Sequence, residues 1–382
     1  MPICDLLTEK LEKQKYRKIY RTLRTVSASV DFTSNDYLGF SRSLELKLAL
    51  SNTFDYAHSL GSTGSRLLTG QSSLADHVEL YIAAYHNMGS ALIFNSGYTA
   101  NLGLISALAS PHDRVIHDVY AHASIYDGIR LSRAQGIPFR HNDIEHLEKR
   151  LSQPYNGLTF VYVESVYSLH GSVSPLKDIC DLCKRYSAYL IVDEAHSVGV
   201  FGNQGEGLVS SLGLQKDVAA TVYTFGKALG IHGAAVMGST ILKDYLINFS
   251  RPFIYTTALP PHAFSLIHLA YQHNKKATAL RQNLQELIAY FRENAKNMQL
   301  PILQDNIHTP IQPLCIPGSE QVRSAADKLQ CSGFDVRAIV SPTVKQKKEL
   351  LRICLHAFNT KKEISAFLNK LCEIQESLCT LS

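Results

Sequence analysis

An apolar run that ends in ionisable residues is the first place to look for chemistry, and Tyr189-Leu-Ile-Val-Asp193-Glu194-Ala195-His196 is such a run. Burying an acid is costly unless it is paired. Two chemistries use an acid in this position. In a Walker B strand it holds Mg²⁺, which requires a G-x-x-x-x-G-K-[ST] loop upstream. The only Gly-Lys pair, Gly226-Lys227, is followed by Ala228 and lacks the first glycine. In a pyridoxal phosphate enzyme the acid faces the cationic ring nitrogen of the cofactor. A helix cap is the purely structural use of the same aspartate. Lys227 favours the cofactor. It stands 34 residues after Asp193, in Thr224-Phe-Gly-Lys227-Ala-Leu-Gly230, just past another apolar run. A small, apolar, glycine-flanked setting is unusual for a surface lysine. It suits a Schiff-base amine whose pKa is depressed by burial.

A cofactor with a phosphate also needs an anion site. Phe94-Asn95-Ser96-Gly97-Tyr98-Thr99-Ala100-Asn101 runs from an apolar stretch into a helical one. Gly97 lets the backbone come close to an anion, and a helix N-terminus offers free N–H groups. His122 follows the next apolar run and offers a flat ring to cover a flat cofactor. By itself it reads as a hydrogen-bonded, partly buried histidine.

The elements that must position these residues alternate. Ala91–Phe94, Arg114–His117, Leu158–Val163, Tyr189–Val192, Val218–Tyr223 and Ala234–Met237 read as short buried strands. Between them, Leu74–Tyr85, Tyr98–Leu108, His122–Ala134, Ile144–Leu151 and Leu176–Tyr186 carry helical periodicity. Such alternation predicts an α/β fold with a mostly parallel sheet covered on both faces. Ligands bind beyond the carboxyl ends of such strands. The reactive residues cluster just there. After Pro260-Pro261 the pattern changes to one long helical stretch, residues 263–297, then a proline-rich segment and an amphipathic stretch, Lys362–Leu378. We divide the chain into an N-terminal helix and arm (1–32), a large cofactor-binding domain (33–255) and a smaller α+β C-terminal domain (256–382).

The composition narrows the class. Of 382 residues, 45% are apolar and 19% charged, an ordinary globular balance that excludes a mostly disordered chain. Lys+Arg 38 against Asp+Glu 33 leaves +5, which suits a phosphorylated partner but is too slight for a nucleic-acid binder. No apolar run approaches the roughly 20 residues of a membrane span, and residues 1–24 lack a signal-like apolar core. A soluble, cytoplasmic protein is expected. Eight cysteines include one C-x-x-C pair, Cys180 and Cys183, with no second pair or histidines at metal spacing. The pair reads as one face of an amphipathic core helix, and no metal is expected.

Taken together, Asp31-Phe-Thr-Ser-Asn-Asp-Tyr-Leu-Gly39, Gly61-Ser-Thr-Gly-Ser-Arg-Leu-Leu-Thr-Gly70, Ser96-Gly-Tyr98, His122-Ala-Ser-Ile125, Asp193-Glu-Ala-His196 and Thr224-Phe-Gly-Lys227 resemble the α-oxoamine synthases, fold-type I pyridoxal phosphate transferases. The segments occur in that family's order from Asp31 to about Asn359, and the first two are most similar to its biotin-pathway branch. The resemblance implies roles. Lys227 holds pyridoxal 5'-phosphate covalently and later serves as general base. Asp193 pairs with the ring nitrogen, and His122 covers the ring. His196 and Ser168 contact the cofactor, while Gly97, Tyr98 and Thr224 surround its phosphate. Thr256 and Thr257 are lent to the partner's phosphate site in a homodimer with shared active sites. Asn35 and Arg352 grip the amino-acid carboxylate, and Thr343 lies near the acyl substrate. The implied reaction is a decarboxylating condensation of L-alanine with a pimeloyl thioester, of CoA or of a carrier protein.

Four positions depart from the family's usual residues. Val340 stands for arginine, Asn359 for histidine, Ser172 for aspartate and Ala75 for histidine. An N-terminal arginine that touches the acyl chain is implied, with Arg17, Arg21 and Arg24 as contenders. Two other readings stay open: a relative that uses glycine or serine with a different acyl-CoA, and a catalytically silent partner subunit. Retention of Lys227, Asp193 and His122 opposes the silent subunit.

Overall fold

A computed structural model of the chain describes residues 2–17, 19–23, 30–53, 59–303 and 308–379; Arg24 lies outside them. Seven strands form the central sheet: β1 (Ser90–Phe94), β2 (Arg114–Asp118), β3 (Gln135–Phe139), β4 (Thr159–Glu164), β5 (Tyr189–Asp193), β6 (Ala220–Thr224) and β7 (Ala234–Gly238). Their order is β1-β7-β6-β5-β4-β2-β3. β7 alone runs against the direction of the other six strands, pairing antiparallel with β1 and β6; the pairings among β2 to β6 are parallel. The expected mostly parallel sheet is therefore present. Strands β1, β2, β4 and β7 are buried along their whole length, as continuous apolar runs covered on both faces require.

The sequence reading missed β3, and its composition explains why. Gln135-Gly-Ile-Pro-Phe139 carries a glycine and a proline and is largely exposed. Proline cannot donate to a ladder, so it survives only at an edge, which is where β3 lies. The long helical stretch after Pro261 is also two helices, Pro261–Lys276 and Thr278–Asn297, broken at Ala277. Cys180 and Cys183 pack in the core beneath the sheet on the helix Leu176–Arg185. Burial holds their thiols up, to about 11 and about 12.

The C-terminal region adds a three-stranded antiparallel sheet of β8 (Ile311–Cys315), β9 (Arg337–Ile339) and β10 (Leu350–Cys354), in the order β9-β10-β8. The helices Ser319–Cys331 and Lys361–Cys379 accompany it. Near the other end of the chain, Val30–Asp31 pairs in parallel with Phe334–Asp335. One apolar cluster is continuous from Ile82 through Phe291 to Phe367. Phe32 brings the N-terminal segment into that cluster, with its ring 4.5 Å from Phe367. The helix Ile3–Tyr16 stands apart, with no buried residue. Among the described residues, no helix is long and apolar enough to cross a membrane.

Phe367 is fully buried between Phe32 and Phe334. Chemical denaturation of Phe367→Ala should show a loss of about 3–5 kcal/mol, the usual cost of emptying an aromatic core site.

Candidate active site

The carboxyl ends of the central strands deliver the reactive groups side by side. Asp193 ends β5 and Glu164 ends β4, and the two are register partners. Thr224 ends β6. The turns that follow carry Ser168, His196 and Lys227, and His122 follows β2. In a parallel sheet, register partners project to the same face. Two acids therefore share one buried layer.

Lys227 Nζ lies 2.7 Å from His196 Nε2. The opposite ring nitrogen, Nδ1, lies 2.7 Å from the Tyr37 hydroxyl. That hydroxyl donates to Asn35 Oδ1 at 3.1 Å, and Arg352 Nη2 donates to the same oxygen at 2.9 Å. Tyr37 has one proton to give, and it goes to Asn35. His196 therefore carries its proton on Nδ1 and donates it to Tyr37, and its Nε2 lone pair accepts from Lys227. Burial, with Lys227, Arg352 and His122 nearby, holds the His196 pKa far below its usual value, so the ring is neutral. Burial also lowers Lys227 to about 8, against the opposing pull of Asp193 and Glu164.

A second chain runs beneath it. Asp193 accepts from Asn101 Nδ2 (2.8 Å) and from the Ala195 amide (2.8 Å). Asn101 also donates to Ser124 Oγ at 2.9 Å and accepts from the Tyr162 hydroxyl at 2.6 Å. Ser124 Oγ lies 2.8 Å from His122 Nδ1. His122, Ser124, Asn101 and Asp193 are thus one hydrogen-bonded unit. His122 is exposed and lines a cavity, and desolvation lowers its pKa.

These residues fit pyridoxal phosphate. Among the described residues no lysine or arginine makes an ion pair with the buried Asp193 carboxylate, which suits a cationic ring nitrogen. The helix Gly97–Leu108 begins with a capping box in which Ser96 and Thr99 bond each other's backbone. The amides of Gly97 and Tyr98 take no part in that box and are available to an anion. A side chain at 97 would collide with the Thr224 hydroxyl, so only glycine lets this helix start and Thr224 meet. Tyr98 meets the His122 ring edge-on, with centroids 6.3 Å apart. Asn95 Nδ2 reaches Thr256 Oγ1 (3.4 Å) and the Thr257 carbonyl (3.0 Å) of its own chain. Those two threonines therefore sit beside the same helix start.

Asn35 and Arg352, 317 residues apart, are in direct contact, and Arg352 Nε also donates to the Ser168 carbonyl at 2.7 Å. Asn359 and His356 together hold the strand leading to Asn35. Asn359 Oδ1 accepts from the His356 amide (2.8 Å), and His356 Nε2 contacts Ser34. Thr343, Ser168 and His122 line one cavity of about 1090 Å³. Its wall includes Ser172, whose Oγ lies 2.7 Å from His141 Nε2, while His141 Nδ1 lies 3.0 Å from Asp118. The departures Asn359 and Ser172 are thus absorbed into hydrogen bonds. Ala75 is fully buried in the core.

Sequence reasoning overlooked Glu164, Asn101 and Tyr37 as members of this site. Glu164 was legible: it ends an apolar run just as Asp193 does. Among the described residues its Oε1 has no hydrogen-bond partner, and burial beside Asp193 raises its pKa to about 8. Asn101 is a polar residue on the buried face of a helix, a weaker signal. Nothing local marks Tyr37.

Residues 27–371 match the family model for class I and II aminotransferases. Among curated relatives, the chain is 38% identical to an 8-amino-7-oxononanoate synthase of Emericella nidulans, over 97% of this chain and 96% of that one. Among solved structures, it is similar to the 8-amino-7-oxononanoate synthase of Francisella tularensis (TM-score 0.80, 32% identity, 91% of this chain and 98% of that one). It is also similar to a serine palmitoyltransferase from S. paucimobilis carrying PLP–myriocin (TM-score 0.89, 26% identity, 98% of each chain).

Two titrations follow from the geometry. On cofactor-free protein, labelling of Lys227 by trinitrobenzenesulfonate should be half-maximal near pH 8, not above pH 10 as for a solvated lysine. Glu164 has a folded-state pKa raised above its unfolded value, so its contribution to stability is complete near pH 4.5 and is lost as pH rises towards 8. Glu164→Gln should therefore be more stable than wild type at pH 7, by roughly 3 kcal/mol, with little gain near pH 4.5. Denaturation midpoints at the two pH values would show it.

Proposed function

The chain belongs to the class I and II aminotransferase family and, within it, to the 8-amino-7-oxononanoate synthases, which makes it a pyridoxal phosphate-dependent acyltransferase; we propose that it condenses L-alanine with a pimeloyl thioester in biotin biosynthesis, releasing CO₂ and the thiol. The carrying observation is the continuous contact from Lys227 through His196, Tyr37 and Asn35 to Arg352. It joins the amine that does the proton chemistry to a guanidinium that takes a carboxylate.

The bound cofactor supplies an electron sink for the carbanion formed at the amino acid's Cα. The protein supplies the rest. Arg352 and Asn35 hold the amino-acid carboxylate; a guanidinium fixed at Ser168 and Asn35 presents its fork in one orientation. Lys227, with a pKa near 8, is partly neutral at physiological pH and takes the Cα proton. His196 accepts a hydrogen bond from Lys227 and stays uncharged, so it orients the amine without competing for the proton. Asp193 keeps the ring nitrogen protonated, and Asn101 and Ala195 hold the carboxylate in place. His122 caps the reacting face, with Ser124 fixing its ring. Gly97, Tyr98 and Thr224 take the phosphate. Thr256 and Thr257 complete that site, in their own chain or in the partner of a homodimer. The cavity beyond His122, with Thr343 on its wall, takes the acyl chain.

A second reading keeps the mechanism and changes the substrates to glycine or L-serine with a different acyl-CoA. The higher TM-score with serine palmitoyltransferase and the valine at 340 favour it. Thiol release separates the two. With pimeloyl-CoA, release should require L-alanine and yield the aminoketone by mass. Release with glycine or L-serine alone would move the assignment towards the second reading, and none with any of the three, or with the pimeloyl carrier protein, would sink the pimeloyl reading and leave a different acyl-CoA. Arg352→Ala should raise the amino-acid KM about 10- to 100-fold, as expected for losing a charged hydrogen bond.

A further inference from the structure

Among the described residues, the cavity of about 1090 Å³ that opens beyond His122 is lined by no aspartate or glutamate; its ionisable wall residues include Lys345, Lys348, His122, His141 and His170. A wall with cations and no acid attracts anions. The two lysines sit on one turn, closed by a hydrogen bond from the Lys348 amide to the Lys345 carbonyl at 3.0 Å. Lys347, between them, takes a left-handed φ of 66° that tightens the turn. Both lysines are exposed, and among the described residues no carboxylate pairs with either. Two like charges three residues apart repel each other until an anion joins them.

Position 340 supplies no charge here, because Val340 packs against the apolar core. The cations available to a substrate in this cavity therefore come from the turn a few residues further on. His122 lies at the reacting end of the cavity. The lysines are exposed on the wall of the same cavity, so they can meet the portion of an acyl thioester that stays in solvent.

We propose that Lys345 and Lys348 form an anion subsite that binds a phosphate of the pantetheine-type thiol carrier, and so set recognition of the acyl donor. This rests on the acyltransferase reading above and assigns its carrier chemistry. Coenzyme A and a carrier protein both present a phosphate on pantetheine, so the two sources are compared directly.

The test uses the holoenzyme and the double variant Lys345→Gln/Lys348→Gln. Equilibrium dialysis gives the Kd of free CoA, dephospho-CoA and phosphate-free pantetheine, with no turnover needed. The variant should bind CoA about tenfold more weakly, as expected for losing partly exposed charged contacts, with a flatter dependence on salt. Pantetheine binding should not change. In turnover, KM for pimeloyl-CoA should rise with kcat held within about twofold, and a phosphate-free pimeloyl thioester should show no difference between the proteins. A loss with both CoA and the carrier protein places the contact at the pantetheine phosphate. A loss with CoA alone, relieved in dephospho-CoA, places it at the 3′-phosphate. Unchanged CoA affinity overturns the proposal. So does an effect confined to acyl groups with a terminal carboxylate, because the lysines would then read the chain and not the carrier. If wild type turns over no thioester, the condensation fails, yet the dialysis result still decides the subsite.

Discussion

A half-buried amine with, among the described residues, no carboxylate paired to it is the constraint on which this site depends. Lys227 is half-buried, and its hydrogen-bond partner is a neutral histidine. Moving a charge out of water is expensive, so the amine yields its proton more readily than it would outside. The surroundings do not abolish the charge, because Asp193 pulls the other way. The balance leaves an amine that can both lose and regain a proton near neutral pH, which is what a base used once per turnover must do.

Keeping such a balance requires that the neighbours not move. Each polar group in the site is anchored by another: His122 by Ser124, Ser124 by Asn101, Asp193 by Asn101 and Ala195, His196 by Tyr37. A satisfied network in a buried region resists rearrangement, because any displaced member leaves an unpaired group behind. The sheet provides the frame, since it holds β4, β5 and β6 in fixed register at the ends where these residues sit. Glu164 is the exception, with one oxygen left unsatisfied; it fits the same frame only as a neutral acid.

Much of this was legible in the chain. Six of the seven central strands read as apolar runs, because buried parallel strands need no polar alternation. The edge strand β3 did not, since proline and exposure erase that signal. Lys227, Asp193, His122 and His196 showed themselves by standing just past strand ends. Their mutual distances did not, because those depend on register between strands far apart in sequence. Asn35 and Arg352 could be paired only through family resemblance; no local pattern announces a contact across 317 residues. Tyr37 escaped notice for the same reason, as its role depends wholly on where His196 falls.

That long contact has a consequence for how the molecule comes into being. The segment Val30–Asp31 has no strand partner until Phe334–Asp335 exists, and Asn35 has no guanidinium until Arg352 has left the ribosome. The cofactor-binding sheet ends at Gly238, so the nascent chain can assemble the lysine and its aspartate well before it owns a carboxylate clamp. Contacts of such sequence separation form late, since closing the loop costs entropy before it brings reward. On the function proposed above, competence for the amino acid is thus an end-of-synthesis property, and a chain that stops short of β10 holds Lys227 without the proposed means to seat an amino acid against it.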